Sequence, residues 1–122
     1  MTFVTADSCR TQLERLTQLL VSAFPGSTVY QHTDLCRVPH DILNNKVDAF
    51  FLETEEDESN SFDFVRMLRR QKKSLPVFII SQTEDLREEA AEAGVNDYFV
   101  QPVTEQQLRD AMQSVKDKEN AS

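Results

Sequence analysis

The chain has 122 residues, a length that suits one compact domain and argues against two. Hydrophobic residues make up 39% of it, including eight Phe, so a core can form and extensive disorder is disfavoured. Acidic residues outnumber basic ones by 21 to 13, and the resulting net charge of −8 disfavours direct binding to nucleic acid.

The first half of the chain alternates strand and helix patterns. Residues 2–6 predict a strand, and leucines at helical spacing then predict a helix that ends at Pro25. Residues 28–32 predict a second, weaker strand, and one short helix is expected after Pro39. This alternation favours a parallel sheet with helical crossovers.

The second half contains the strongest strand patterns, at 47–52 and 75–80, where apolar residues are consecutive rather than alternating. Strands that are covered on both faces of a parallel sheet have this pattern. A helix with an apolar stripe separates them, and a further helix is expected to end at Gly94.

The C-terminal part predicts a short strand at 98–100 and a last helix that opens with a capping box at Thr104. Residues 116–122 are polar and are interpreted as a tail or linker after a domain at 1–115. Five strands alternating with about five helices predict an α/β fold with a doubly wound parallel sheet.

In such sheets the functional crevice lies at the carboxyl ends of the strands. Four polar residues are predicted to follow strands there: Asp7, Glu53, Ser81 and Gln101. The usual catalytic motifs are missing, because two glycines are too few for a phosphate-binding loop and no His/Cys cluster has zinc-ligand spacing. We therefore expect that the domain is not an enzyme.

Two further patterns concern the location of the protein. Cys9 and Cys36 are too few for a disulfide framework and are interpreted as reduced thiols. The N-terminus has no signal-peptide pattern, and no apolar run approaches about 18 residues. We expect a soluble cytoplasmic protein that does not contact a membrane.

Five segments together resemble the receiver domain of bacterial two-component response regulators. They are 47–53, 62–70, 75–81, 93–98 and 99–102. The resemblance extends from Phe3 to about Val115 and is weak at 28–46. It implies a flavodoxin-like fold with strand order 2-1-3-4-5 and helices on both faces of the sheet.

The resemblance also implies a phosphorylation site. In the family, an aspartate after strand 3 accepts phosphate from a histidine kinase, and a lysine after strand 5 contacts the phosphoryl group. Glu53 takes the position of that aspartate, and Gln101, which precedes Pro102, takes the position of that lysine.

The family's Mg²⁺ ligands are two acids after strand 1, the phosphoacceptor and a backbone carbonyl. The first acid position is Ala6, so only Asp7, Glu53 and Glu55 remain to form an acidic pocket. Because a ligand, the phosphoacceptor aspartate and the lysine charge are all replaced, we expect that phosphotransfer is lost. No cofactor is required, and any Mg²⁺ site is weak.

In the family, a hydroxyl and an aromatic residue couple the crevice to the face made by the fourth helix, fifth strand and fifth helix. Ser81 and Tyr98 occupy these switch positions. We expect signalling through phosphate-independent contacts of that face with other signalling proteins, or as a homodimer, with Glu53 standing in for a phosphorylated aspartate.

Two alternatives stay open. In one alternative, the chain is the input domain of a longer LytTR-type DNA-binding transcription regulator. The spacing from Ser81 to Tyr98 suggests this, because it is most similar to receivers of that type. In the other alternative, the domain still accepts phosphate slowly on Glu53 or on a nearby side chain.

Overall fold

The fold of the computed structural model is a five-stranded parallel sheet with helices on both faces. The structure describes residues 1–54, 59–72 and 74–121. The strands are β1 (Thr2–Ala6), β2 (Thr28–His32), β3 (Ala49–Thr54), β4 (Val77–Ser81) and β5 (Asp97–Val100). The helices are α1 (Arg10–Ala23), α2 (Val38–Asn44), α3 (Ser59–Gln71), α4 (Arg87–Ala93) and α5 (Glu105–Ala121).

The strand order is β2-β1-β3-β4-β5, and all neighbouring strands are parallel. This confirms the predicted fold class and strand order. The connections place β1 and β3 side by side in the middle of the sheet although β2 lies between them in the chain. The order of the strands therefore reverses direction at β1, which opens a crevice at the carboxyl edge there.

Each face of the sheet has its own apolar core, which explains the consecutive apolar residues of the central strands. Along β3, Phe50 and Leu52 pack into the core on one face, whereas Ala49 and Phe51 pack into the core on the other. Successive strand residues point to opposite faces, so a strand that is covered on both sides needs apolar residues at every position.

The observed ends of two strands differ from the sequence prediction. β3 covers Ala49–Thr54 rather than 47–52, because Glu53 and Thr54 pair with the last residues of β4. Ser81 similarly is the last residue of β4. Glu53 and Ser81 were predicted to follow their strands, and this was wrong. Both lie within the strands, still at the carboxyl edge.

The predicted helix signals agree with the structure. Gly94 ends α4 in the left-handed conformation, at φ 100°. At the start of α5, Thr104 Oγ1 accepts a hydrogen bond from Gln107 N at 3.2 Å, and Gln107 Oε1 accepts one from Thr104 N at 2.9 Å. This reciprocal pair is the predicted capping box.

Helix α5 is longer than the sequence pattern indicates. It continues to Ala121, so most of the segment interpreted as a tail or linker extends the helix. The side chains of Lys116, Asp117 and Lys118 are exposed there. The boundary of the domain at 115 stays a prediction. None of the described helices is long and apolar enough to cross a membrane.

Candidate functional site

The structure brings three of the predicted residues together at the carboxyl edge of the sheet. Asp7 follows β1, Glu53 lies near the end of β3, and Gln101 follows β5. Gln101 Nε2 donates a hydrogen bond to Glu53 Oε2 at 3.2 Å. Ser81 lies beside them, and its carbonyl oxygen accepts a hydrogen bond from Gln101 N at 2.8 Å. These four predicted positions therefore lie at one edge of the sheet, and their role as a site stays a prediction.

Gln12, in the first turns of α1, is a member of the site that the sequence analysis missed. In the orientation of its amide that satisfies both neighbours, the nitrogen donates to Asp7 Oδ2 at 3.0 Å and to Glu53 Oε2 at 2.9 Å. A signal was available, because Gln12 precedes the buried Leu16 by one helical turn and so lies on the face of α1 directed at the sheet.

Glu53 lies in an environment that favours its protonated form. Its pKa is raised from 4.5 to about 9, mainly because burial penalises the charged carboxylate, and further by hydrogen bonding to Asp7 and by electrostatic interaction with Asp7 and Cys9. The hydrogen bond from Gln101 acts in the opposite direction. The Glu53 carboxyl group therefore favours its neutral form at neutral pH.

This protonation bears on the hypothesis that Glu53 stands in for a phosphorylated aspartate. A phosphoaspartate adds negative charge to the crevice. A neutral Glu53 adds none, so the charge on which that hypothesis depends is not present in this arrangement.

The donor set at this edge does not fit a Mg²⁺ ion. Such an ion prefers charged or neutral oxygen ligands in octahedral geometry. Here, amide N–H groups of Gln12 and Gln101 are directed at the carboxyl oxygens, and Asp7 Oδ1 accepts a hydrogen bond from Cys9 N at 2.9 Å. In the described parts of the chain no three acidic, His or Cys residues gather as metal ligands. Glu55, the third predicted member of the acidic pocket, lies outside the described residues.

The two predicted switch residues contact the same loop residue. Ser81 is buried, and its Oγ accepts a hydrogen bond from Thr83 N at 3.3 Å. Tyr98 is 4% exposed, and its hydroxyl donates to Thr83 O. The Arg87 guanidinium lies 4.9 Å from the centre of the Tyr98 ring and donates to Tyr98 O at 3.2 Å. The Tyr98 side chain is thus buried, with its hydroxyl bonded to Thr83 and its ring in contact with Arg87.

Comparison with known proteins agrees with this architecture. The family model of the response regulator receiver domain matches residues 4–113. A search of curated protein sequences found no match.

Solved structures of low identity share the fold. A response regulator receiver domain protein from Clostridium thermocellum is 20% identical with a TM-score of 0.83, over 98% of this chain and 97% of that one. A CheY-like receiver domain protein from Methanospirillum hungatei is 14% identical, with a TM-score of 0.81 over 99% and 98%. The signal receiver domain of an HD domain-containing protein from Pseudomonas fluorescens is 20% identical, with a TM-score of 0.80 over 99% and 98%.

The family match covers most of the chain, and the strand order and the polar carboxyl edge are those that the resemblance implies. The chain belongs to the response regulator receiver domain family, the signalling module of two-component systems.

Proposed function

We propose that this receiver domain has a degenerate phosphorylation site and acts by phosphate-independent protein–protein interaction, as a binding module rather than an enzyme. The observation that carries the proposal is the hydrogen bond from Gln101 Nε2 to Glu53 Oε2. A neutral amide occupies the position from which a receiver lysine contacts the phosphoryl group. The pocket then needs neither Mg²⁺ nor another cofactor.

The chemistry of phosphoryl transfer supports this reading. Transfer requires cations that neutralise the charge on the transferring group and a nucleophile with a free lone pair. At this edge, the amides of Gln12 and Gln101 supply hydrogen bonds but no positive charge. A protonated Glu53 is also a weak nucleophile, because one of its oxygens carries the proton.

The charge of the proposed interaction face indicates the kind of partner. Glu88, Glu89 and Glu92 on α4 are exposed, as is Asp97 at the start of β5. Complementary potentials accelerate encounter and suppress wrong partners, so we propose a signalling protein with a basic docking surface. A homodimer through this face would place these acids close together, so it would need further contacts to offset their repulsion.

The test is phosphorylation by a small donor. The protein is incubated with acetyl phosphate and Mg²⁺, and its intact mass is recorded beside a receiver domain that carries the full set of acids and the lysine. We expect the mass of one phosphoryl group on the control and no increase on this protein. An increase that disappears in Glu53→Gln would contradict the proposal and support slow phosphorylation of Glu53.

A further inference from the structure

A pocket of about 340 Å³ lies beside the acidic pair, between α1 and the connection from β5 to α5. Its floor is apolar: Leu16 and Ile80 are buried, and Leu19 and Val103 are half-buried and belong to the core on that face. Small-molecule sites are concave, mostly apolar and about 300–1,000 Å³ in volume. The pocket therefore has the form of a site for a small organic molecule.

The polar side chains that line the pocket differ in how far they are buried. Gln12, Glu53 and Gln101 are half-buried in its wall, whereas Arg15 and Gln82 are exposed at its rim. The side-chain amides of Gln12 and Gln101 already donate hydrogen bonds to the carboxyl groups of the acidic pair.

Arg15 has no hydrogen-bond or ion-pair partner among the residues that the structure describes. Among the described residues of the lining, it is also the one that carries a positive charge. An unpaired guanidinium at the mouth of an apolar pocket is suited to a planar carboxylate, which it binds with two parallel hydrogen bonds.

The position of the pocket in the fold supports the same conclusion. It opens at the carboxyl ends of β3, β4 and β5, next to the point where the strand order reverses at β1. Open parallel sheets bind their ligands in the crevice at such a point, because the helices that leave adjacent strands diverge there.

We propose that this pocket binds a small organic monocarboxylate, with its apolar body against Leu16, Leu19 and Val103 and its carboxylate on Arg15. The proposal goes beyond the phosphate-independent function and does not depend on it, since the pocket would be present whether or not Glu53 accepts phosphate. A dianion is disfavoured because Arg15 is the single cation among the described lining residues and the protein carries a net charge of −8.

The probe is 3-phenylpropionate, and its neutral carboxamide and acetate serve as comparison ligands. Each is titrated to about 20 mM into the labelled protein at constant pH and ionic strength, and backbone amide shifts are recorded. For a ligand of this size we expect a dissociation constant of order 1 mM. Saturable shifts should cluster at Leu16, Leu19, Gln101 and Val103.

The comparison ligands separate the two parts of the site. The carboxamide has the same apolar body, so it should bind about three- to fivefold more weakly, as expected for an exposed ion pair. Acetate has the charge without the body and should give no saturable shifts. Arg15→Gln should weaken the acid to the level of the amide and leave the amide unchanged. Arg10→Gln makes the same charge change on α1 outside the pocket lining and should leave both unchanged.

Arg15 is exposed, so its substitution should not impair folding. Shifts that do not saturate, or that are scattered away from the pocket, would overturn the proposal. Equal affinities for the acid and the amide, or an equal effect of Arg10→Gln and Arg15→Gln, would overturn the assignment of a carboxylate ligand.

Discussion

At the residue scale, the proposed loss of phosphotransfer depends on Glu53. Replacing the family's aspartate with glutamate lengthens the side chain by one methylene, and its carboxyl group reaches the amides of Gln12 and Gln101 and the acid of Asp7. Burial and a neighbouring negative charge both favour the protonated form. Glu53 takes the position of the family's nucleophilic aspartate, but in this structure it is a neutral member of a hydrogen-bond network.

The raised pKa of Glu53 predicts how stability changes with pH. The group releases its proton near pH 4.5 in the unfolded chain but near pH 9 in the folded protein, so the folded state holds more protons between these values. The contribution of Glu53 is complete below pH 4.5 and is lost as the pH rises to about 9. The slope in this window is at most the single-proton limit of about 1.4 kcal/mol per pH unit, because a single carboxyl group is involved.

Glu53→Gln should remove this part of the pH dependence, measured by urea unfolding at several pH values between 5 and 9. Glu14→Gln is the control, because it makes the same change from carboxyl to carboxamide at an exposed position on α1. If both variants keep the wild-type dependence of the free energy of unfolding on pH, the pKa of Glu53 is not raised in the folded protein.

At the scale of secondary-structure elements, the C-terminal end of α3 braces the end of α4. Arg69 Nε donates to Gly94 O at 2.7 Å, and the same guanidinium donates to Leu75 O and to Asn96 Oδ1. Asn96 Oδ1 also accepts a hydrogen bond from Val77 N at 2.9 Å. The end of α4 is thereby fixed relative to β4 and β5, which positions the proposed interaction face.

The two glycines of the chain give a matched test of this contact. Both have positive φ, at 85° for Gly26 and 100° for Gly94, so alanine is strained at each. A Cβ at Gly94 would also lie 3.2 Å from Arg69 Cγ, whereas one at Gly26 would meet nothing within 4 Å.

We expect Gly26→Ala to lower the free energy of unfolding by about 1 kcal/mol. Gly94→Ala should lower it by about 2 kcal/mol, because the Arg69 side chain must also move. Chemical denaturation of the two variants measures the difference. Equal losses would show that the Arg69 contact does not constrain this helix end.

At the scale of the whole molecule, the sequence pattern predicts a doubly wound parallel sheet, because apolar runs without alternation identify central parallel strands and the capping signals of α4 and α5 are local. The strand order came from the resemblance to receiver domains. The prediction of strand ends was less accurate. Glu53 and Thr54 extend β3 because they pair with β4, and such pairing joins residues that are distant in the sequence. Gln12 and the pocket beside it were not predicted, because both depend on how α1 packs over the sheet.

We propose that the carboxyl edge does not support phosphate chemistry, and a two-dimensional amide NMR titration with Mg²⁺ followed by beryllofluoride is the decisive test. Beryllofluoride mimics a phosphoryl group only where a carboxylate, a metal and a cation hold it together. We expect no saturable shifts at Asp7, Glu53 and Ser81, and no change in the Tyr98 amide shift. Saturable shifts at the first three residues that spread to Tyr98 would contradict the proposal, because the site and its switch would then be functional.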